Sequence, residues 1–176
     1  MVDLVAVTPL AELVPLEIGA VRMSEVVVGT AQLVAPFKGQ AAAVSAALRD
    51  AAGVDLPGPG AVTAGGDVRA LWMGGGQALV LGADALALDG AAVTDLSDGY
   101  AVARVEGPDA EAALARLVPV DVRALGEGAT ARTLLGHMSA SVTRVGAQAF
   151  EVMVMRSMAG TLLHDLERAA RGLLAR

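Results

Sequence analysis

Few side chains in this chain could do chemistry, and each stands in a context that also explains it structurally. The 176 residues include no cysteine and only two histidines, His137 and His164. A zinc site needs three or four His, Cys or carboxylate ligands at close spacing, and neither histidine has such neighbours in the sequence. His164 falls on the polar side of a helical pattern, where a solvated residue is expected. His137 opens an apolar run, as a hydrogen-bonded structural histidine or an interface residue. Asp95 and Asp98 flank Ser97, and a carboxylate pair in a cleft could do acid–base work. The same residues also make a tight turn at Asp98-Gly99 that Asp95 can cap, which is the favoured reading.

Ser157 precedes a helical pattern and reads as its N-cap. Arg156 before it could hold an anion at that helix N-terminus, or pair with a local carboxylate or a partner chain. No serine lies in a G-x-S-x-G elbow. Gly74-Gly75-Gly76 has no Lys behind it and joins two apolar runs, so it is a hairpin turn rather than a phosphate loop. Trp72, the one tryptophan, is a core residue or else an interface anchor. No catalytic, cofactor-binding or metal-binding residue is assigned on this reading.

The elements that must position these groups follow from periodicity. Residues 1–29, broken by Pro9 and Pro15, read as an N-terminal arm with one short strand. Residues 31–37 form a strand. In 40–52, Ala41, Val44, Leu48 and Ala51 recur at helical spacing, with Gly53 as C-cap. Leu56-Pro57-Gly58-Pro59-Gly60 is a loop. Residues 68–73 and 78–81 flank the Gly74–Gln77 turn as a hairpin. Further strands are expected at 91–96 and 100–106. A helix begins at Pro108, with Ala110, Ala113, Leu114 and Leu117 buried and Pro119 ending it. Residues 138–145 and 150–155 make a second hairpin. The last helix runs from Ser157 to about Leu174, with Met158, Leu162, Leu166, Ala169 and Leu173 inward and Glu167 and Arg171 paired outside.

Gly75-Gly76-Gln77-Ala78-Leu79 is echoed by Gly146-Ala147-Gln148-Ala149-Phe150 at the second hairpin. The reading is therefore an α+β fold in two related β-α-β-β halves, with antiparallel hairpins and helices on one side. Residues 30–90 form the first half and 91–176 the second, in one compact unit.

Composition narrows the function classes. Thirteen basic residues face nineteen acidic ones, for a net charge of −6, and no basic cluster exists to neutralise phosphates, which argues against nucleic acid. Apolar residues make up 55% and the mean hydropathy is +0.58, with only 2% aromatics. That surplus is either an apolar face meant for a partner or alanine bias from a GC-rich genome. The run 78–93 is interrupted by Asp84 and Asp89, so no membrane span is expected. The N-terminus lacks the pattern of a secretory signal, and the cytoplasm is the expected compartment.

Several short motifs, in order, resemble the gamma subunit family of heterotetrameric sarcosine oxidases. Gly53-Val54-Asp55-Leu56-Pro57 is similar to a G-x-x-L-P step, and Arg69-Ala70-Leu71-Trp72-Met73-Gly74 to R-x-L-W-L-G. Asp95-Leu96-Ser97-Asp98-Gly99-Tyr100-Ala101 resembles D-x-S-D-G-x-A. Gly107-Pro108-Asp109-Ala110 with Leu114, Leu117, Pro119 and Asp121 resembles G-P-D-A-x-x-x-L-x-x-L-x-P-x-D. Thr133-Leu134-Leu135-Gly136-His137 and Phe150-Glu151-Val152 through Arg156-Ser157 complete the series, which covers roughly residues 30–165. The chain departs from the family at Gly75-Gly76-Gln77-Ala78 and at Pro36-Phe37-Lys38-Gly39.

The resemblance implies a reduced form of the folate-binding aminomethyltransferase fold and membership of an alpha–beta–gamma–delta complex. That complex oxidises sarcosine with FAD, FMN, NAD and tetrahydrofolate, all held by other subunits. The gamma chain would bind no cofactor itself and would pack chiefly on alpha, with beta and delta in the assembly. In isolation a homo-oligomer is expected. The alternative is a free-standing folate-binding, aminomethyltransferase-like protein, which would need a pocket carboxylate facing the pterin.

Overall fold

Alternating apolar residues and glycine turns build a chain dominated by strands, seen in a computed structural model that describes residues 5–175. The first four residues of the expected N-terminal arm, and Arg176, lie outside the described residues. In chain order the elements are β1 (Leu16–Ile18), β2 (Val21–Glu25), β3 (Ala31–Pro36), α1 (Ala41–Ala52), β4 (Val62–Gly65), β5 (Val68–Gly74) and β6 (Gln77–Leu81). They continue with β7 (Ala91–Asp95), β8 (Tyr100–Glu106), α2 (Ala110–Leu114), β9 (Thr130–Leu135), β10 (Met138–Gly146), β11 (Ala149–Met155) and α3 (Ala159–Leu174).

The strands form two antiparallel sheets. One is five-stranded in the order β4-β5-β6-β3-β7, the other six-stranded in the order β1-β2-β8-β11-β10-β9. The runs β4-β5-β6-β3 and β9-β10-β11-β8 are the same arrangement, each made by a strand, a helix and a three-strand meander that returns beside the first strand. The α+β architecture in two related halves is therefore present.

Period-2 alternation gives each strand two faces. Leu71, Leu79 and Leu81 of one sheet meet Val102 and Met153 of the other in a core between the sheets. The opposite face of the five-stranded sheet, with Val34, Ala70, Ala78 and Val80, packs on Val44 and Leu48 of α1. The opposite face of the six-stranded sheet, with Ala101, Val105, Phe150 and Val152, packs on Leu114 of α2 and Leu162 and Leu166 of α3. Each half thus carries its helices on one side, turned away from the other half.

Several expectations need correction. Residues 16–25 are no free arm: β1 and β2 form a hairpin, and β2 pairs with β8 from Arg22↔Glu106 to Glu25↔Ala103. Strand β7, assigned above to the second half, pairs with β3 in the first sheet. Strands β4 and β9 were not foreseen, because Val62-Thr63-Ala64-Gly65 is short and Thr130–Leu135 lacks strict alternation. Their ladders with β5 and β10 define them.

The helix after Pro108 is only Ala110–Leu114 long. A 3₁₀ turn, Arg156–Met158, precedes α3, whose N-cap position is Met158 with no side-chain cap, so Ser157 does not cap it. Of the stripe expected on α1, only Val44 and Leu48 are buried, and Met158, expected inside, is 42% exposed. Gly107 explains the bend between β8 and α2: its φ is +116°, and a Cβ there would lie 2.1 Å from the Ala20 carbonyl oxygen.

The internal echo marks equivalent hairpins but is one residue out of register. Both hairpins carry an irregularity just before the turn, and the closing pairs are Gly74↔Gln77 and Gly146↔Ala149. Ala78 therefore corresponds to Phe150, both facing helices, while Leu79 corresponds to Glu151, both facing the other sheet. A one-residue shift in a strand exchanges its faces, so the sequence match had paired residues of opposite orientation.

Candidate partner interface

Asp95 and Ser97 are brought together at the end of β7. The Ser97 backbone N–H and hydroxyl both donate to Asp95 Oδ1, at 2.9 and 2.6 Å, and the Ala31 N–H donates to Ser97 Oγ at 3.1 Å. These bonds, the Ser97 hydroxyl first and its N–H second, hold the Asp95 carboxyl below its ordinary range, against a smaller opposing desolvation. A carboxylate bonded in this way fastens a turn and is a weak base near neutrality.

Asp98 is fully exposed and stands 3.7 Å from Arg156. Arg156 also donates from Nη2 to the Val7 carbonyl at 2.6 Å, and its backbone N–H bonds the Gly99 carbonyl at 2.9 Å. Of the roles weighed for it, local pairing is the one observed. His137 lies exposed in the β9–β10 turn and His164 exposed on α3. Among the described residues no group of His, Cys, Asp or Glu could hold a metal ion. Gly74, Gly75 and Gly76 all have positive φ, as the hairpin turn requires. Trp72 is half-buried at the outer end of β5, opposite Ala78.

The charged cluster that sequence reasoning missed lies between the sheets. Glu151, 5% exposed on β11, bonds Arg104 of β8 at 2.7 Å and Arg69 of β5 at 2.9 Å. The first contact is within its own sheet and the second crosses to the other. Glu151 sits in an otherwise apolar strand, Ala149–Met155, and a lone acid there is the only signal a sequence offers for a buried ion pair.

The most distinctive surface is an apolar end built around residues 5–9, Val26–Val28 and the start of the 3₁₀ turn. Glu25 ties the N-terminal segment down, accepting from Thr8 Oγ1 at 2.5 Å and from the Leu10 N–H at 2.9 Å, and Leu10 is fully buried. This leaves Val7, Val27 and Met155 at 59, 67 and 60% exposure. A cleft of about 210 Å³ runs between Val7, Val26, Val28, Tyr100 and Arg156. Adjoining hollows continue it over Gly99, Met155 and Ser139. Clustered exposed aliphatics next to a few charged groups suit a protein partner better than a small polar ligand. Of the cleft's two carboxylates, Glu25 already accepts from Thr8 and the Leu10 N–H, and Asp98 is fully exposed 3.7 Å from Arg156.

No protein-family profile and no curated protein sequence matches the chain. Among solved structures it superposes on a chain of heterotetrameric sarcosine oxidase from Corynebacterium sp. U-96, in complex with pyrrole 2-carboxylate. The TM-score is 0.81 at 25% identity, and the match covers 94% of each chain. Among the described residues no helix is long and apolar enough to cross a membrane. In fold and in length the chain is similar to a subunit of heterotetrameric sarcosine oxidase, in agreement with the gamma-subunit-like motifs along its sequence.

Proposed function

We propose that the chain is an accessory, gamma-type subunit of a cytoplasmic sarcosine oxidase-like complex and contributes structure rather than reacting groups. The observation that carries this reading is the end-to-end likeness to a chain of such an enzyme, 94% of each being covered. In the proposed assembly, sarcosine is oxidised to glycine and its one-carbon unit passes to tetrahydrofolate. FAD, FMN, NAD and the folate are held by the other subunits. The apolar end at Val7, Val27 and Met155 is the surface that seats on the alpha subunit. Stable complexes bury at least about 1,200 Å² in total, more than three side chains supply, so neighbouring surface joins the contact.

Co-expression with the alpha, beta and delta subunits tests the proposal. The expected result is one co-eluting complex that oxidises sarcosine, with the isolated chain colourless and forming homodimers or soluble aggregates. A well-behaved monomer that ignores the other subunits at micromolar concentration overturns it, as does stoichiometric flavin in the purified chain. Tight binding of tetrahydrofolate by the chain alone, in calorimetry, replaces it with the free-standing folate-binding reading.

A further inference from the structure

Four strands end the two sheets, and they are not equally protected. β1 is three residues long. The start of β9 is covered by residues 60–62, through the Thr130 N–H to the Gly60 carbonyl and the Ala61↔Ala129 bridge. β4 is flanked by residues 53–55: Thr63 Oγ1 donates to the Asp55 carbonyl at 2.5 Å, and a Cβ on Gly65 would lie 2.2 Å from the Gly53 oxygen. β7 has five residues, and among the described residues nothing pairs with its outer side.

The groups on that outer side can be identified. The Phe37 N–H bonds the Gly90 carbonyl, the Leu96 N–H bonds the Ala31 carbonyl, and the register between runs Gln32↔Asp95 to Pro36↔Ala91. Hydrogen-bonded pairs alternate along an antiparallel ladder, so Ala92 and Thr94 turn their backbone groups to β3. Ala91, Val93 and Asp95 turn theirs outward. β7 has no proline, lysine or bulge, and its one charged residue is Asp95 at its end.

Charge decides what fits. Asp95 at the end of β7 and Asp89 two residues before its start are exposed, and neither joins an ion pair among the described residues. A second copy paired antiparallel about Val93 would set Asp95 opposite Ala91, two residues along the chain from Asp89 of its mate. Repeating that at both ends disfavours self-pairing. We infer that the outer edge of β7 receives an extended, basic segment of a partner subunit, adding a strand to the five-stranded sheet. Backbone groups of Ala91, Val93 and Asp95 supply the bonds, and the aspartates select lysine or arginine. That the donor is another subunit rests on the accessory-subunit reading; the edge and its charge preference do not.

The test uses the full chain and three synthetic peptides: alternating valine and lysine, alternating valine and glutamate, and the lysine peptide N-methylated at alternate amides. The expected result is that the lysine peptide shifts the amide resonances of Ala91, Val93 and Asp95. The glutamate peptide should bind at least about tenfold more weakly, and the N-methylated one should not bind. Val93→Pro, which removes an outward N–H, should abolish binding with the circular dichroism unchanged; if that variant unfolds, the N-methylated peptide decides alone. Equal affinity for the two charge types, or shifts that avoid β7, overturns the inference. So does concentration-dependent protection of the β7 amides in the isolated chain, which would mean self-pairing. Failure of the chain to co-elute with sarcosine oxidase subunits would instead refute the proposed function and leave the peptide result standing.

Discussion

The two halves share a strand order and differ at their flanks and in their cores. In the second half β8 is bordered by β2 and then β1, so the N-terminal residues seal that side. At the matching place in the first half β3 is bordered by β7, and the sheet stops there. Inside, Phe150 faces α2 and α3 where its counterpart Ala78 faces α1. Between the sheets Glu151 stands where the first half has Leu79. The second half therefore has the larger helix-side core, and in the first half nothing among the described residues pairs with the outer side of β7. The difference teaches that one strand order, used twice, can carry a larger core in one copy and an unpaired outer strand in the other.

The most severe way to break the comparison is Phe150→Ala. Phe150 is fully buried, and such truncations cost about 3–5 kcal/mol, measurable by urea unfolding. Ala78→Phe in the matching position should destabilise through overpacking, by about 1–3 kcal/mol.

Next in size is Glu151→Ala, which leaves Arg69 and Arg104 facing each other without their carboxylate. Removing one partner of a buried pair costs about 3–5 kcal/mol. The lower end applies here, because the arginine side chains are 29 and 40% exposed. Replacing all three with apolar residues of similar volume should recover most of the loss, making this layer resemble the Leu79 side. If the single variant unfolds at the wild-type urea midpoint, the carboxylate does not lock the sheets.

Met155→Glu probes contact rather than stability. The isolated chain should unfold within about 0.5 kcal/mol of wild type. Association with the alpha subunit should weaken at least about tenfold, read by size-exclusion chromatography with light scattering. Unchanged assembly would move the interface away from this end.

The smallest effect is expected at the end of β7. Since Asp95 is held below its ordinary pKa, its contribution to stability is present above the unfolded value, about 3.9. It is lost as pH falls through the lower folded value. Ser97→Ala removes the first cause of the shift and should raise the Asp95 carboxyl toward the ordinary range, leaving a shallower acid limb. NMR titration of the Asp95 side chain checks this, and no upward movement would reject the turn clasp.

Much of the fold was legible in residues with strong local chemistry. Gly74–Gly76 and Gly146-Ala147 marked the hairpins, Gly53 ended α1 with φ +71° as expected, and Glu167 and Arg171 pair at 2.7 Å on α3. The Asp95–Ser97 turn was readable for the same reason, since its partners are two residues apart. The candidate interface was legible only as an unplaced surplus of apolar residues. Val7, Val27 and Met155 are distant in sequence and meet because Glu25 and Arg156 fasten the N-terminal segment.

The sequence by itself determined the local elements: which residues alternate, where glycine must admit a positive φ, and which stripes of a helix are apolar. These follow from backbone sterics and from side-chain periods of 2 and 3.6 within a few residues. Only the tertiary structure decided that β2 seals β8 while β7 has no outer neighbour among the described residues, and that Glu151 is buried between Arg69 and Arg104. Only it decided, too, which hairpin residues correspond. Those outcomes depend on strand pairings between distant segments, and a register that shifts by one residue exchanges every face. Short-range preferences carry no information about that choice, which is made by the packing of both sheets at once.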